Sequence, residues 1–314
     1  MKNRTLTPEI FKNIYKAAFG KKIRNLGVSK FNGGLKNRVY LIDDGKNKYV
    51  IKTIAADDDQ IAPIDRNTLR WEADVLRELE SLDIAIPRVI YYSDGIEEYP
   101  YPFLVLNYLS GNNYNECKDN LSSSQKNDIS FSIGKINKEI CAIKKDYYYL
   151  PSYPKKKFKN NYEFIGFMFM VLLKIYKKND INIDGITGTE IEKIVKSKKK
   201  ELNMATNICL CNIDLWDGNI LVKNGEISGI VDFADTYYCD ELMSFYFHST
   251  DKDVDEYFLL GYDKKLKYEE KVRVEIYRLY TYLKIIIDCE IKKYGRFNKI
   301  YKGFIDTYNK LLTI

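Results

Sequence analysis

One stretch limits what this chain can be more than any other. It runs Leu210-Cys211-Asn212-Ile213-Asp214-Leu215-Trp216-Asp217-Gly218-Asn219-Ile220-Leu221-Val222, then Lys223-Asn224-Gly225-Glu226, Ile227 to Val231 and Asp232-Phe233. Asn-Gly between two β-branched runs is the strongest short-range hairpin signal. An Asp followed five positions later by an Asn spans a tight loop, with both polar groups facing one cleft. A second Asp, at the end of the hairpin, returns to that cleft from the neighbouring strand. Phosphoryl transfer from a nucleotide needs such a set. One group must orient and deprotonate an acceptor hydroxyl, and oxygen ligands must hold Mg²⁺ beside it to neutralise phosphate oxygens. Asp214 is assigned as the base, and Asn219 and Asp232 as the Mg²⁺ ligands.

Other chemistries are excluded early. A single histidine, His248, leaves little room for His-based hydrolysis, and six cysteines without a C-x-x-C pair rule out a zinc ribbon or finger. Reduced cytosolic thiols are the default. The longest nearly unbroken apolar run, Ile165 to Leu173, is far short of a bilayer span, and the N-terminus lacks the apolar core of a secretory signal. A cytoplasmic protein with no membrane partner is expected.

The patterning divides the chain. Thr7-Pro8-Glu9 opens a first helix and Gly20 stops it. Runs Val39 to Ile42 and Lys48 to Thr53 flank the turn sequence Asp43 to Asn47, a hairpin. Leu69, Ala73, Leu76 and Leu79 recur at helical spacing within 67–82, and Phe103 to Leu106 is a buried strand. Ser110-Gly111-Asn112-Asn113 has linker composition. Beyond it the pattern is helical over 122–144, 161–177, 188–203 and 266–293, interrupted by the hairpin of 220–231. Met168 and Met170 are expected to fill the core.

The ordered set resembles the catalytic core of the aminoglycoside phosphotransferase and choline kinase family, which is related in fold to protein kinases. DLWDGNILV and GIVDF are similar to that family's motifs, and the likeness extends over about residues 25 to 260. It implies a two-lobed protein-kinase-like α+β fold with an antiparallel-sheet N-lobe. The C-lobe would be mainly helical with an embedded β-hairpin. Residues 1–108 would bind nucleotide and 109–314 would carry catalysis and substrate binding. Lys52, ending the strand Tyr49 to Thr53, could reach the nucleotide α- and β-phosphates. Glu72 follows twenty positions later in an amphipathic helix; Glu78 and Glu80 share that helix, and the family's order selects Glu72 as the partner of Lys52. Phe31 to Tyr40 resembles the family's G-G-x-x-N loop, which makes Gly33, Gly34 and Asn37 a phosphate-covering segment. The resemblance also implies adenine against the backbone from Asn107 to Leu109. The cofactors implied are ATP, with GTP as the alternative, and Mg²⁺.

Three departures matter. Asn212 stands where the family usually has the His that supports the catalytic loop, and Ala234 stands where protein kinases have Gly. Cys239-Asp240-Glu241-Leu242 replaces a common G-D-P, with Asp240 placed to anchor the loop. H-R-D, D-F-G and A-P-E are all absent, which points to a small-molecule hydroxyl acceptor. Its pocket would come from helices within 112–180 and 255–314.

Charge suggests the acceptor class. Residues 232–256 carry a local balance of −7, whereas 151–200 carry +7 in a chain of +6 overall. Asp235, Asp240 and Glu241, with Asp251, Asp253, Asp255 and Glu256, would suit a cationic acceptor such as an aminoglycoside antibiotic. An exposed acidic loop is the alternative. A choline-type acceptor would want an aromatic box as well, and a sugar or amino-acid metabolite remains open. A kinase-fold scaffold is the reading from another class, invited by Asn212. The lysine runs 155–157 and 198–200 read as solvated helix ends and loops, so no nucleic-acid partner is expected.

Overall fold

In this computed structural model the described residues are 6–31, 37–54, 63–245, 253–292, 295 and 297–314. They form two compact units that interleave along the chain, one drawn from 1–61, 67–117 and 217–234, the other from 62–66, 118–216 and 235–314.

The first unit begins with α1 (Pro8–Phe19). The Thr7 hydroxyl accepts the Ile10 N–H at its start, and Gly20 ends it in the left-handed region at φ +69°. Its sheet contains β1 (Gly27–Lys30), β2 (Asn37–Asp43), β3 (Lys48–Ile54), β4 (Val89–Ser93) and β5 (Phe103–Asn107) in the order β1-β2-β3-β5-β4, antiparallel throughout. Asp44 closes the β2–β3 turn by accepting the N–H groups of Lys46 and Asn47 at 2.9 and 2.7 Å. Ile42, Ile51, Phe103 and Val105 face α1, where Phe11, Ile14 and Tyr15 complete an apolar core. Because side chains alternate along a strand, Lys52 points to the opposite face. Helix α2 (Thr68–Leu79) carries Glu72 and buries Leu69, Ala73, Leu76 and Leu79, as the spacing predicted.

Two short segments finish this unit. The expected hairpin is present as β10 (Ile220–Lys223) and β11 (Glu226–Ile230), turning at Asn224 and Gly225. Both turn residues have positive φ, +56° and +83°, the left-handed pair that Asn-Gly supplies best. Replacing Gly225 with Ala should cost roughly 1–2 kcal/mol, since a Cβ is strained there; urea unfolding would measure it. The segment read as a linker is instead partly a strand. β6 (Asn112–Asn113), followed by α3 (Tyr114–Cys117), pairs with Val222 and Leu221. Its two polar residues carry no strand propensity, so only the neighbouring hairpin edge reveals it.

The second unit holds α4 (Ser123–Ile140), β7 (Tyr148–Tyr149), β8 (Lys157–Phe158), α5 (Asn161–Lys178), α6 (Gly188–Ser197), α7 (Lys199–Asn203), β9 (Ile208–Asn212), β12 (Thr236–Asp240), α8 (Glu256–Tyr262), α9 (Tyr268–Lys292) and α10 (Asn298–Thr313). Ser122 and Gln125 form a reciprocal capping box on α4, and Thr187 and Glu190 form one on α6. The helical stretch expected over 188–203 breaks at Lys198 into α6 and α7. α4 and α8 approach closely, since a Cβ on Gly134 would lie 2.2 Å from the Phe258 carbonyl oxygen. Met168 is fully buried as expected, but Met170 lies on the outer side of α5, 39% exposed. The pattern did not reveal the four-stranded sheet β8-β7-β12-β9. Its two longest strands are almost wholly buried, so they lack the alternation that marks a half-exposed strand. No helix among the described residues is long and apolar enough to cross a membrane.

Candidate active site

Lys52 lies opposite Val39 on β2 and Leu104 on β5, in the interior of the first unit's sheet. Its Nζ donates to both Glu72 carboxylate oxygens, at 2.7 and 2.8 Å, and to Asp232 Oδ1 at 2.8 Å. Glu72, in the middle of α2, also accepts the Phe233 N–H at 3.2 Å. One glutamate thus holds both the lysine and the backbone beside Asp232. Glu78 and Glu80 are exposed, so the geometry selects Glu72. Burial opposes a charge on Lys52, but the carboxylates of Asp232 and Glu72 more than reverse this. They hold its pKa above the ordinary lysine value, and the ammonium stays charged.

The hairpin fixes the second part. Ile220 pairs with Ile230, so Asn219 and Asp232 leave the hairpin at the same end. Asn219 closes a 3-10 turn (Asp217–Asn219), and its carbonyl accepts the Val231 N–H at 2.9 Å. Asn113 Nδ2 donates to the Gly218 carbonyl at 2.6 Å and steadies the turn. Asp232 itself has φ +65°, a conformation costing about 1–3 kcal/mol in a non-glycine residue, which persists where surrounding structure enforces it.

These residues fit a divalent cation. Two carboxylates surround one ammonium, leaving an excess negative charge, and the available donors are hard oxygens of the kind Mg²⁺ prefers. The Lys52 and Glu72 side chains are 6% and 1% exposed, whereas that of Asp232 is 39% exposed, so its carboxylate alone of the three opens to solvent. Asn37 begins β2, almost buried, on the sheet face that carries Lys52. Gly33 and Gly34 lie outside the described residues. At the other sheet edge, the Asn107 N–H bonds the Arg88 carbonyl and the Tyr108 N–H bonds the Lys48 carbonyl; Leu109 follows, half-buried.

Asp214 belongs to the second unit. β9 ends at Asn212, opposite Thr236, and the chain then turns. The Ile213 N–H bonds the Asp235 carbonyl at 2.9 Å, and the Trp216 N–H bonds the Asp214 carbonyl at 2.9 Å. Asn212 is fully buried, and its Oδ1 accepts the Asp214 N–H at 2.9 Å. The departure at 212 therefore still supports the loop: an amide oxygen accepts directly from the backbone of Asp214. Asp214 is half-buried.

Most carboxylates of the acidic stretch have partners within the second unit. Asp240 is 1% exposed and accepts from Arg273 Nε at 2.7 Å and the Tyr277 hydroxyl at 2.6 Å. Glu241 accepts from Lys264 and Tyr262, each at 2.7 Å, and from Asn207 at 3.0 Å. Asp235 accepts from the Tyr237 hydroxyl at 2.9 Å and lies 3.6 Å from Lys284, which also pairs with Asp65. Asp255 caps α8, Asp253 pairs with Lys271, and Asp251 lies outside the described residues. Cations from elsewhere in the second unit pair with Asp235, Asp240, Glu241 and Asp253. The pairs at Asp235, Asp240 and Glu241 hold the fold together. Losing one partner of a buried ion pair costs about 3–5 kcal/mol. Asp240→Ala should therefore lower the melting temperature sharply while leaving acceptor KM near the wild-type value, read by calorimetry and steady-state kinetics. Sequence reasoning missed Arg273 and Lys284, because both sit in a long helix whose charges look solvent-facing until its partners are known.

A phosphotransferase is the class of protein this arrangement defines. The chain belongs to the APH phosphotransferase enzyme family, which it matches over residues 27–267. No curated protein sequence matches it. Its fold is similar to that of a chain from Haemophilus somnus 129PT described as a candidate fructosamine-3-kinase, at 19% identity and a TM-score of 0.71, covering 96% of each chain. The streptomycin–ATP ternary complex of APH(2")-IIa is also similar, at 20% identity and a TM-score of 0.62, covering 99% of this chain and 97% of that one. So is ADP-bound aminoglycoside phosphotransferase APH(2'')-Ib, at 22% identity and 0.60, covering 98% and 97%.

Proposed function

We propose that the protein transfers the γ-phosphoryl group of ATP to a hydroxyl of a small amino-sugar-type molecule, with an aminoglycoside antibiotic as the first candidate. The observation that carries this reading is the sealed Lys52–Glu72 pair joined to Asp232. Lys52 would contact the α- and β-phosphates, and the Asn37 segment, with Gly33 and Gly34, would cover them. The backbone from Asn107 to Leu109 would meet the base. Asn219 and Asp232 would hold Mg²⁺, which when bound supplies charge neutralisation on the phosphate oxygens. Asp214 would orient the acceptor hydroxyl and take its proton. The structural relatives span aminoglycoside enzymes and a candidate fructosamine kinase. Their shared acceptor chemistry, a polyhydroxylated molecule bearing amines, supports the amino-sugar class over choline. Because Asp235, Asp240 and Glu241 are paired internally, residues outside this trio would recognise such an acceptor.

Mg²⁺-dependent ADP release, measured with a panel of aminoglycosides, glycated amines, amino sugars and choline, tests the reading. Stimulation by an amino sugar that is abolished in Asp214→Ala supports it. Stimulation by choline alone would replace the acceptor class. No nucleotide binding and no release would replace the enzyme with a scaffold.

A further inference from the structure

Four of the six cysteines, far apart in sequence, meet in the second unit. Cys209 and Cys211 alternate on β9 and so share one face of the sheet. Cys141 comes to that face from the C-terminal end of α4. Its Sγ lies 3.8 Å from that of Cys211, which lies 3.5 Å from that of Cys209. All three sulfurs fall within 4.8 Å of one another. Cys239, opposite Cys209 on β12, shares that face, and its thiol donates to the Tyr237 carbonyl at 3.8 Å. None of the four is more than 3% exposed, and none forms a disulfide.

We propose that Cys141, Cys209 and Cys211 form a binding site for a soft divalent d¹⁰ cation. Around an ion with metal–sulfur bonds of about 2.3 Å, the sulfurs sit about 4.0 Å apart in a trigonal site and about 3.8 Å apart in a tetrahedral one. The observed separations therefore need only small adjustment. Thiolates select such ions over Mg²⁺, which keeps this site chemically distinct from the oxygen donors of Asn219 and Asp232. Binding forms three metal–sulfur bonds and releases the three thiol protons, with no change of oxidation state. A divalent ion leaves one net negative charge in the interior and a monovalent ion leaves two, so burial favours the divalent ion. Because β9 continues directly into Ile213 and Asp214, the ion would clip α4 to the strand that carries the base.

Cd²⁺ titration of the reduced, metal-free protein tests this. The expected result is one ion per chain, thiolate-to-metal charge-transfer absorption, proton release and a raised melting temperature. Cys209→Ala and Cys141→Ser should each weaken binding at least ~10²-fold, while Cys117→Ser, at a half-exposed thiol outside the cluster, should leave it unchanged. X-ray absorption at the cadmium edge of the unmutated protein needs no variant to fold and should show a shell of sulfur alone. No binding, a shell dominated by oxygen or nitrogen, or loss of binding in Cys117→Ser would overturn the proposal.

Discussion

Asp214→Asn is expected to lower acceptor-stimulated ADP release by about 10²–10⁴-fold, the usual contribution of a positioned general base, with little change in stability. The separation of the two effects follows from the loop. Several bonds that hold it are made by backbone groups and by Asn212: Ile213 N–H to the Asp235 carbonyl, Trp216 N–H to the Asp214 carbonyl, and Asp214 N–H to Asn212 Oδ1. An amide at 214 keeps each of those bonds and removes the basic carboxylate. Nucleotide affinity should be unchanged, because Lys52, Glu72 and Asp232 are untouched. A variant that retained full turnover would remove Asp214 from the proposed mechanism; one that unfolded would show that the carboxylate itself holds the loop. Steady-state kinetics beside a thermal melt reads both quantities.

Glu72→Leu should do the reverse and damage fold and activity together. It leaves the buried Lys52 ammonium with Asp232 as its remaining carboxylate partner and strands the Phe233 N–H, whose acceptor is Glu72 Oε1. Breaking a buried pair in this way costs about 3–5 kcal/mol. The double variant Lys52→Met with Glu72→Leu should recover much of that stability, since an apolar pair of similar volume removes the unpaired charge. It should not recover turnover, because no cation then remains to meet the phosphates. Denaturant unfolding of the two singles and the double gives the coupling energy directly. Additive losses in the double would mean that the two residues do not act as a unit.

Much of the proposed site was legible in the sequence because its signals are local or nearly so. Asn224-Gly225 specifies a turn by its own backbone preferences, and that turn alone places Asn219 and Asp232 at one end of a hairpin. The helical period of 67–82 placed Glu72 within α2, although three glutamates were available and only the structure shows which one reaches Lys52. Asn212 stands where the family usually has a histidine, and its hydrogen bond to Asp214 shows how the asparagine is accommodated. The linker composition at 110–113 was misleading, since pairing with β10 depends on a strand more than a hundred residues later.

The sequence by itself therefore determined the turn chemistry, the helix caps and the local set Asp214, Asn219 and Asp232, because each rests on residue type and short spacing, whereas the choice of Glu72 as the partner of Lys52 fell to the tertiary structure. Tertiary structure alone decided what the acidic stretch does. Asp240 meets Arg273 and Tyr277, and Glu241 meets Tyr262 and Lys264, from 21 to 37 residues away. It also gathered Cys141, Cys209 and Cys211, up to 70 residues apart, onto one buried face. The physical reason is common to both. Whether a carboxylate is a solvent-facing ligand or a buried anchor, and whether scattered thiols become neighbours, depends on which distant groups share its desolvated surroundings. No local pattern encodes that.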